Sequence, residues 1–176
     1  MKLLIVVDMQ NDFIDGVLGT PEAVAIVPKV AAKVKQYADR GDPIFYTKDT
    51  HFERDYMNTQ EGRKLPVPHC LYGTKGHQLH PDIHVRGSYY ADKPTFGLAE
   101  IGEVVDSIAR DRKVDIESIE LVGLCTGICV ISNAMLLKAY YPEIPITVDS
   151  ACCACVTPES HTRALEAMKM CQIEII

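Results

Sequence analysis

The sequence lacks the features that mark membrane, nucleic-acid-binding and dinucleotide-binding proteins. No apolar run approaches the roughly 18 residues needed to span a bilayer, and the apolar run at the start ends at Asp8 without a signal-peptide cleavage site. The formal net charge is -6 and no cluster of Lys and Arg is present, which argues against nucleic-acid and membrane partners. No glycine-rich phosphate-binding motif follows the first apolar run, so no nucleotide cofactor is expected.

The sequence also lacks a regularly spaced set of cysteine pairs. It has seven cysteines, and three of them crowd together as Cys152, Cys153 and Cys155. This pattern favours free thiols, a cytoplasmic location, and core or turn positions for these three residues rather than zinc coordination. The chain has 176 residues without internal repeats, and we expect a single domain over residues 1–176.

Short apolar runs alternate with helical patterns along most of the chain. The runs predict buried strands at 3–7, 44–47, 88–91, 119–123, 145–148 and 172–176. Helical periodicity and end signals predict helices at 24–40, 97–111, 127–140 and 158–170. This alternation favours an α/β fold of three layers, with helices on both faces of a mostly parallel sheet of about six strands.

Residues 49–88 show no long periodic segment, and an irregular stretch of that length inside a compact domain is usually functional. In open parallel sheets, ligands bind beyond the carboxyl ends of the strands. The polar and thiol residues predicted at or just after those ends are Asp8, Asp49, Lys93, Cys125, Cys129 and Asp149.

The stretch GLCTGICV at 123–130 places Cys129 in the first turn of a predicted helix. Backbone N–H groups and the helix dipole favour a thiolate there, and the same N–H groups could stabilise an oxyanion. Asp8 could remove the thiol proton, and the charge of Lys93 would stabilise both anions. The strand-end pattern therefore indicates a possible triad of Asp8, Lys93 and Cys129.

Spacing alone leaves other interpretations of these residues open. Cys129 could be a small buried hydrophobic residue, and Asp8 a helix or turn cap. Cys125 and Cys129 could hold an iron–sulfur cluster, although the nearby third cysteine of such sites is absent. A non-catalytic binding domain, or a thiol redox protein that uses the 152–155 segment, would also fit.

The irregular segment contains candidate ligands for a divalent metal. Asp49 and His51 follow the second predicted strand, and His69 lies further along. A carboxylate and two imidazoles suit zinc, with iron or manganese as alternatives, and Glu61 could be a fourth ligand. The remaining histidines are expected in surface or capping roles: His77, His80, His84 and His161.

Six stretches together resemble the isochorismatase-like cysteine hydrolases, and within them the nicotinamidase-related branch. They are VVDMQNDF (6–13), DTH (49–51), LPVPHCLYGTKG (65–76), DKPTFG (92–97), GLCTGICV (123–130) and DSACCACVTPESHTRALE (149–166). The resemblance implies the isochorismatase-like hydrolase fold. It also implies a cysteine-dependent amidohydrolase that converts nicotinamide, or a related small amide, to a carboxylate and ammonia through a thioester.

The resemblance implies a role for each matching residue. Asp8 would be the general base, Lys93 the adjacent cation and Cys129 the nucleophile. The N–H groups of Cys125 and Cys129 would form the oxyanion hole, next to a cis peptide between Leu124 and Cys125. The implied metal ligands are Asp49, His51 and His69, with Glu61 as a possible fourth, and the implied substrate contacts are Phe13 and Leu124.

One position departs from the resemblance. Pro66 stands where nicotinamidases usually have an aromatic residue, so the substrate could be an amide other than nicotinamide. An N-carbamoyl-type amidase of the same fold, working without a metal, is the nearest alternative. Family members often form homo-oligomers, and a dimer or tetramer is expected.

Overall fold

The computed structural model of the protein describes residues 1–83 and 87–176; His84 lies outside the described residues. Six strands form one sheet in the order β3-β2-β1-β4-β5-β6, and all neighbouring pairs within these residues are parallel. The strands are β1 Lys2–Val7, β2 Ile44–Asp49, β3 Tyr89–Lys93, β4 Ser118–Leu124, β5 Ile146–Ala154 and β6 Glu174–Ile175.

Helices connect most of the strands, and a π-helical turn, Thr126–Val130, leads into one of them. They are α1 Asn11–Ile14, α2 Pro21–Arg40, α3 Glu53–Tyr56, α4 Gln60–Lys64, α5 Ile101–Arg112, α6 Ile131–Tyr140 and α7 Pro158–Met170. Over the described ranges, no helix is both long and apolar enough to cross a membrane.

Alternate residues of the central strands point to opposite faces of the sheet, and both sets are mostly apolar. Helices therefore cover each face. Leu3, Ile5 and Val7 of β1 contribute to one buried cluster, which also contains residues of α5, α6 and α7. Leu4 and Val6 contribute to the other, which contains the apolar face of α2. The three-layer α/β architecture predicted from the sequence is thereby confirmed.

Several predicted element ends differ from the structure. α2 begins at Pro21 because the Thr20 side chain accepts a hydrogen bond from the Ala23 N–H and proline suits the first helical position. α5 begins at Ile101 instead of residue 97, and β6 is shorter than predicted.

β5 extends further than the prediction of 145–148, and this changes the interpretation of Asp149. Because β5 continues to Ala154, Asp149 lies within the strand and not at its carboxyl end. Its Oδ2 atom lies 2.9 Å from Lys33 Nζ on α2. Asp149 therefore joins a helix to the sheet and takes no part in the strand-end cluster.

Candidate active site

The structure brings Asp8, Lys93 and Cys129 together at the carboxyl edge of the sheet. Asp8 follows β1, Lys93 ends β3, and Cys129 lies in the π-helical turn after β4. Lys93 Nζ is 2.6 Å from Asp8 Oδ2 and 3.6 Å from Cys129 Sγ. All three side chains are buried, so their charges interact with little screening by water.

Burial governs the electrostatics of these three groups. It raises the pKa of Asp8, against the opposing charge of Lys93, and makes the carboxylate a stronger base. Burial and then Asp8 raise the pKa of the Cys129 thiol, so the thiol keeps its proton until a base removes it. Burial opposes the charge of Lys93, but Asp8 and Cys129 outweigh it and raise the pKa of the ammonium.

Neighbouring polar groups hold the three side chains in place. Thr47 Oγ1 donates to Asp8 Oδ1 at 2.7 Å, and Lys93 Nζ donates to the carbonyl oxygen of Thr95 at 3.1 Å. Asn133 Nδ2 donates to the carbonyl oxygen of Cys129 at 2.8 Å, while its Oδ1 accepts from the Leu98 N–H at 2.9 Å. Asn133 thus joins the turn that carries Cys129 to the chain that follows Lys93.

The strand-to-helix joint at Cys129 has a specialised backbone. The Leu124–Cys125 peptide is cis, as the resemblance implies, and Gly123 has φ 123°. A Cβ atom at Gly123 would lie 2.1 Å from the carbonyl oxygen of Val7, so only glycine lets β4 approach β1 this closely. π-helical turns often occur at functional sites, and this one holds Cys129.

A second cluster lies beside the triad and contains all four predicted metal ligands. One ligand atom from each of Asp49, His51, Glu61 and His69 can be chosen so that all lie within 4.8 Å of one another. Asp49 Oδ2 is 2.9 Å from His51 Nε2 and 3.4 Å from His69 Nε2. Asp49 Oδ1 is 3.6 Å from Lys93 Nζ, so Asp49 belongs to both clusters.

This cluster has the chemistry of a divalent-metal site. Two imidazole nitrogens and two carboxylates are a donor set that zinc, iron and manganese accept. The other ring nitrogen of His69, Nδ1, lies 2.8 Å from the Val67 carbonyl oxygen, an outer contact of the kind that orients metal-binding histidines. The four residues fit the divalent metal that the resemblance implies.

Two polar residues after β1, which are not among the predicted metal ligands, hold the backbone beside those ligands in place. Gln10 Nε2 donates to the Asp49 carbonyl oxygen at 2.8 Å, and Gln10 Oε1 accepts from the Asp49 N–H at 2.7 Å. Asp12 Oδ2 accepts from the Cys70 N–H at 2.7 Å, directly after His69. The sequence signal is that both polar side chains lie in the VVDMQNDF stretch, two and four residues after Asp8.

His77 corrects one prediction. The sequence predicts a surface or capping role, but His77 is 5% exposed and its Nε2 lies 2.9 Å from Thr50 Oγ1. It is buried because the irregular segment folds back over the sheet edge, where Gln10 Nε2 binds the His77 carbonyl oxygen at 2.9 Å. His80 and His161 are half-buried. His80 Nδ1 accepts from the nearby Asp82 N–H, whereas His161 Nδ1 lies 2.8 Å from Thr126 Oγ1 and so links α7 to the π-helical turn.

A cavity of about 370 Å³ opens over both clusters and is lined mainly by apolar side chains. Cys129, Asp49 and His69 lie in its wall, together with the predicted substrate contacts Phe13 and Leu124. Pro66 is absent from the lining, and further apolar lining comes from Leu18, Leu65, Phe96, Ile128 and Val156. Phe96 is not among the site residues predicted from the sequence, although it lies in the DKPTFG stretch three residues after Lys93.

Residues 2–176 match the family model described as an isochorismatase domain. The chain belongs to the isochorismatase family. Within this family it is 28% identical to the nicotinamidase/pyrazinamidase of Mycobacterium tuberculosis, over all of this chain and 98% of that protein.

Solved structures of isochorismatase-fold proteins superimpose on most of the chain. The pyrazinamidase of Pyrococcus horikoshii, solved in complex with zinc, gives a TM-score of 0.82 at 26% identity and covers 99% of this chain and 98% of its own. The N-carbamoylsarcosine amidase of Thermoplasma acidophilum gives a TM-score of 0.79 at 26% identity and covers 99% of this chain and 94% of its own. The fold is therefore shared by amidases named for different substrates.

Proposed function

We propose that this protein is a cysteine-dependent amidohydrolase that hydrolyses nicotinamide, or a related small ring-bearing amide, to the carboxylate and ammonia. The chain is an amidohydrolase acting on non-peptide C–N bonds, in keeping with its nicotinamidase and pyrazinamidase relatives. The observation that carries the finer proposal is the placement of Asp8, Lys93 and Cys129 in contact beneath a mostly apolar cavity.

The first half of the reaction forms a thioester. Asp8 takes the proton of the Cys129 thiol as the sulfur attacks the carboxamide carbon, and Lys93 stabilises the developing thiolate. The N–H groups of Cys125 and Cys129 stabilise the oxyanion. Protonated Asp8 then returns the proton to the nitrogen, the C–N bond breaks, and ammonia leaves.

The second half releases the acid. Asp8, again a carboxylate, takes a proton from a water molecule that attacks the thioester carbon, and the same N–H groups stabilise the second oxyanion. The C–S bond breaks, Cys129 recovers its proton from Asp8, and the carboxylic acid leaves. Each proton removed by Asp8 is returned within the cycle, so no external acid or base is needed.

Asp49, His51, Glu61 and His69 would hold the divalent metal, with zinc as the proposed ion. When bound, the metal would act as a Lewis acid toward a donor atom of the substrate, such as a ring nitrogen. Phe13 would pack against the substrate ring, because it lines the cavity 5.4 Å from the His69 ring, centroid to centroid. Leu124, the last residue of β4, also lines the cavity and would contact the substrate.

The test is ammonia release by purified, zinc-loaded protein from a panel of nicotinamide, pyrazinamide, aliphatic amides and N-carbamoyl compounds. We expect turnover of a ring amide, abolished in Cys129→Ala. Cys152→Ala is the matched control, since it also removes a buried thiol but lies outside the cavity lining. Full turnover by Cys129→Ala would rule out the thioester mechanism.

An N-carbamoyl-type amidase is the second candidate, favoured by the structural match to N-carbamoylsarcosine amidase and by Pro66. The same panel distinguishes it, because it predicts turnover of the N-carbamoyl compounds that persists after the metal is removed with a chelator. A non-catalytic protein would turn over nothing in the panel, and its Cys129 would resist mild alkylation.

A further inference from the structure

Two thiols outside the proposed triad lie side by side at the edge of the cavity. Leu124 of β4 pairs with Ala154 of β5, so the next residues of the two chains are Cys125 and Cys155. The two thiols are hydrogen-bonded to each other through their side chains, so the sulfur atoms are already neighbours. Both cysteines line the same cavity as Cys129.

The surroundings of Cys155 favour its thiolate. Hydrogen bonds from the Cys125 thiol and from backbone N–H groups, including Gly127 N at 3.4 Å, outweigh burial and lower the pKa of Cys155 to about 5. The pKa of Cys125 is raised by the same contact and by burial. Burial raises the pKa of Cys152 to about 12 and also raises that of Cys153. Within the 152–155 segment, Cys155 is therefore the thiol whose surroundings most favour the thiolate.

We propose that Cys155 and Cys125 form a reversible disulfide when a peroxide enters the cavity, and that this disulfide switches the active site off. The Cys155 thiolate attacks one peroxide oxygen, the O–O bond breaks, and with one proton a sulfenic acid and water form. Cys125 sulfur then attacks the Cys155 sulfur and loses its proton, the S–O bond breaks, and a second water leaves. Two thiols are oxidised and one hydrogen peroxide is reduced to two waters.

The disulfide would inactivate the site through Cys125. The backbone N–H of Cys125 is one of the two proposed oxyanion donors, and drawing its side chain onto Cys155 moves that N–H away from the reacting carbonyl. Losing one such donor typically costs 10²–10³ in rate, so we expect about a tenfold loss or more. This consequence depends on the proposed function, whereas formation of the disulfide does not.

The chemical test is a disulfide map of the full-length protein after treatment with equimolar hydrogen peroxide and blocking of the remaining thiols. Trypsin would leave Cys125 and Cys129 on one peptide, and Cys152, Cys153 and Cys155 on another. Variants are therefore needed to assign which cysteines are linked. The joined peptides should appear in the wild type, Cys129→Ala and Cys152→Ala, and disappear in Cys155→Ser. Oxidation without joined peptides, or a link that persists in Cys155→Ser, would overturn the proposal.

The functional test follows turnover of the best amide from the panel, expressed as a fraction of each protein's own untreated activity. Peroxide should lower the wild-type fraction by about tenfold or more, and dithiothreitol should restore it. Cys155→Ser should retain most of its activity, and an equal loss there would place the oxidation on Cys129 and refute the switch. If untreated protein hydrolyses no amide, the proposed function fails, and the disulfide map still decides whether the thiols pair.

Discussion

At the scale of single residues, the proposed chemistry requires Asp8 as its base. Its carboxylate accepts from Thr47 at 2.7 Å and lies 2.6 Å from Lys93 Nζ. Asp8→Asn keeps the shape but removes the base, and we expect kcat to fall by about 10²–10⁴. Thr47→Val is the matched control, because it removes one hydrogen bond and leaves the carboxylate. A kcat within tenfold of wild type in Asp8→Asn would exclude Asp8 as the base.

A second residue-scale prediction concerns Asp12, which we expect to position the metal ligands without binding the metal. Asp12 Oδ2 fixes the Cys70 N–H, and the Cys70 carbonyl oxygen accepts from the His51 N–H at 3.1 Å. Asp12→Ala should therefore weaken zinc binding by about 10–100-fold in a competition titration with a chromogenic chelator.

Two further variants make the Asp12 test specific. Asp12→Asn keeps an acceptor oxygen and should recover much of the affinity for zinc. Asp15→Ala removes an exposed carboxylate from the same stretch and should bind zinc as the wild type does. Equal zinc affinity in Asp12→Ala and Asp15→Ala would show that Asp12 does not position the ligands.

At the scale of secondary-structure elements, a charge cluster joins α2 to the middle of the sheet. Lys33 Nζ lies 2.6 Å from Glu120 Oε1 on β4 and 2.9 Å from Asp149 Oδ2 on β5. Burial opposes both charges, but the hydrogen bonds between the partners outweigh it, raising the pKa of Lys33 and lowering that of Asp149. The cluster therefore stabilises the fold while both groups are charged.

This cluster gives a pH-dependent prediction. The contribution of the Asp149 charge to the free energy of unfolding is complete above the ordinary pKa of 3.8. It is lost as pH falls through the lowered pKa of Asp149 in the folded state. The Lys33 contribution is complete below 10.5 and is lost as pH rises through the raised value. Lys33→Met should therefore lower the free energy of unfolding by about 1–3 kcal/mol at pH 7, and by clearly less near pH 3.

Urea unfolding of the two proteins at pH 7 and pH 3 measures this difference. Lys35→Met is the control, since the Lys35–Asp39 pair is solvent-exposed and contributes less than about 0.5 kcal/mol. A Lys33→Met effect that is the same at both pH values would contradict the assignment to ionised partners.

Element positions were predictable where a local signal exists. The apolar runs predict six strands because buried parallel strands are apolar on both faces, and α7 matches its predicted bounds because Pro158 and the Thr157 cap are both visible in the sequence. The π-helical turn at Thr126–Val130 and the length of β5 carry no such signal. Both depend on packing between β4, β5 and α7, which spacing along the chain does not reveal.

At the scale of the whole molecule, sheet order explains how distant residues meet. β1 lies between β2 and β4, so Asp8, Asp49 and the turn after β4 share one edge, and β3 adds Lys93 beside β2. The resemblance predicts which residues gather there, and strand ends alone also suggest Asp149, which lies elsewhere. The supporting contacts of Thr47 and Asn133 follow only from the folded chain. Assembly into a dimer or tetramer stays a prediction.

The most direct test of the account is to look for an acyl group on Cys129 during turnover. Zinc-loaded protein is mixed with the best amide of the panel, quenched in acid within the first turnovers, and analysed by mass spectrometry. We expect at most one acyl group per chain, located on the peptide that contains Cys129 and absent in Cys129→Ala. If the amide is turned over rapidly while the protein carries no acyl group at any quench time, the thioester mechanism is contradicted.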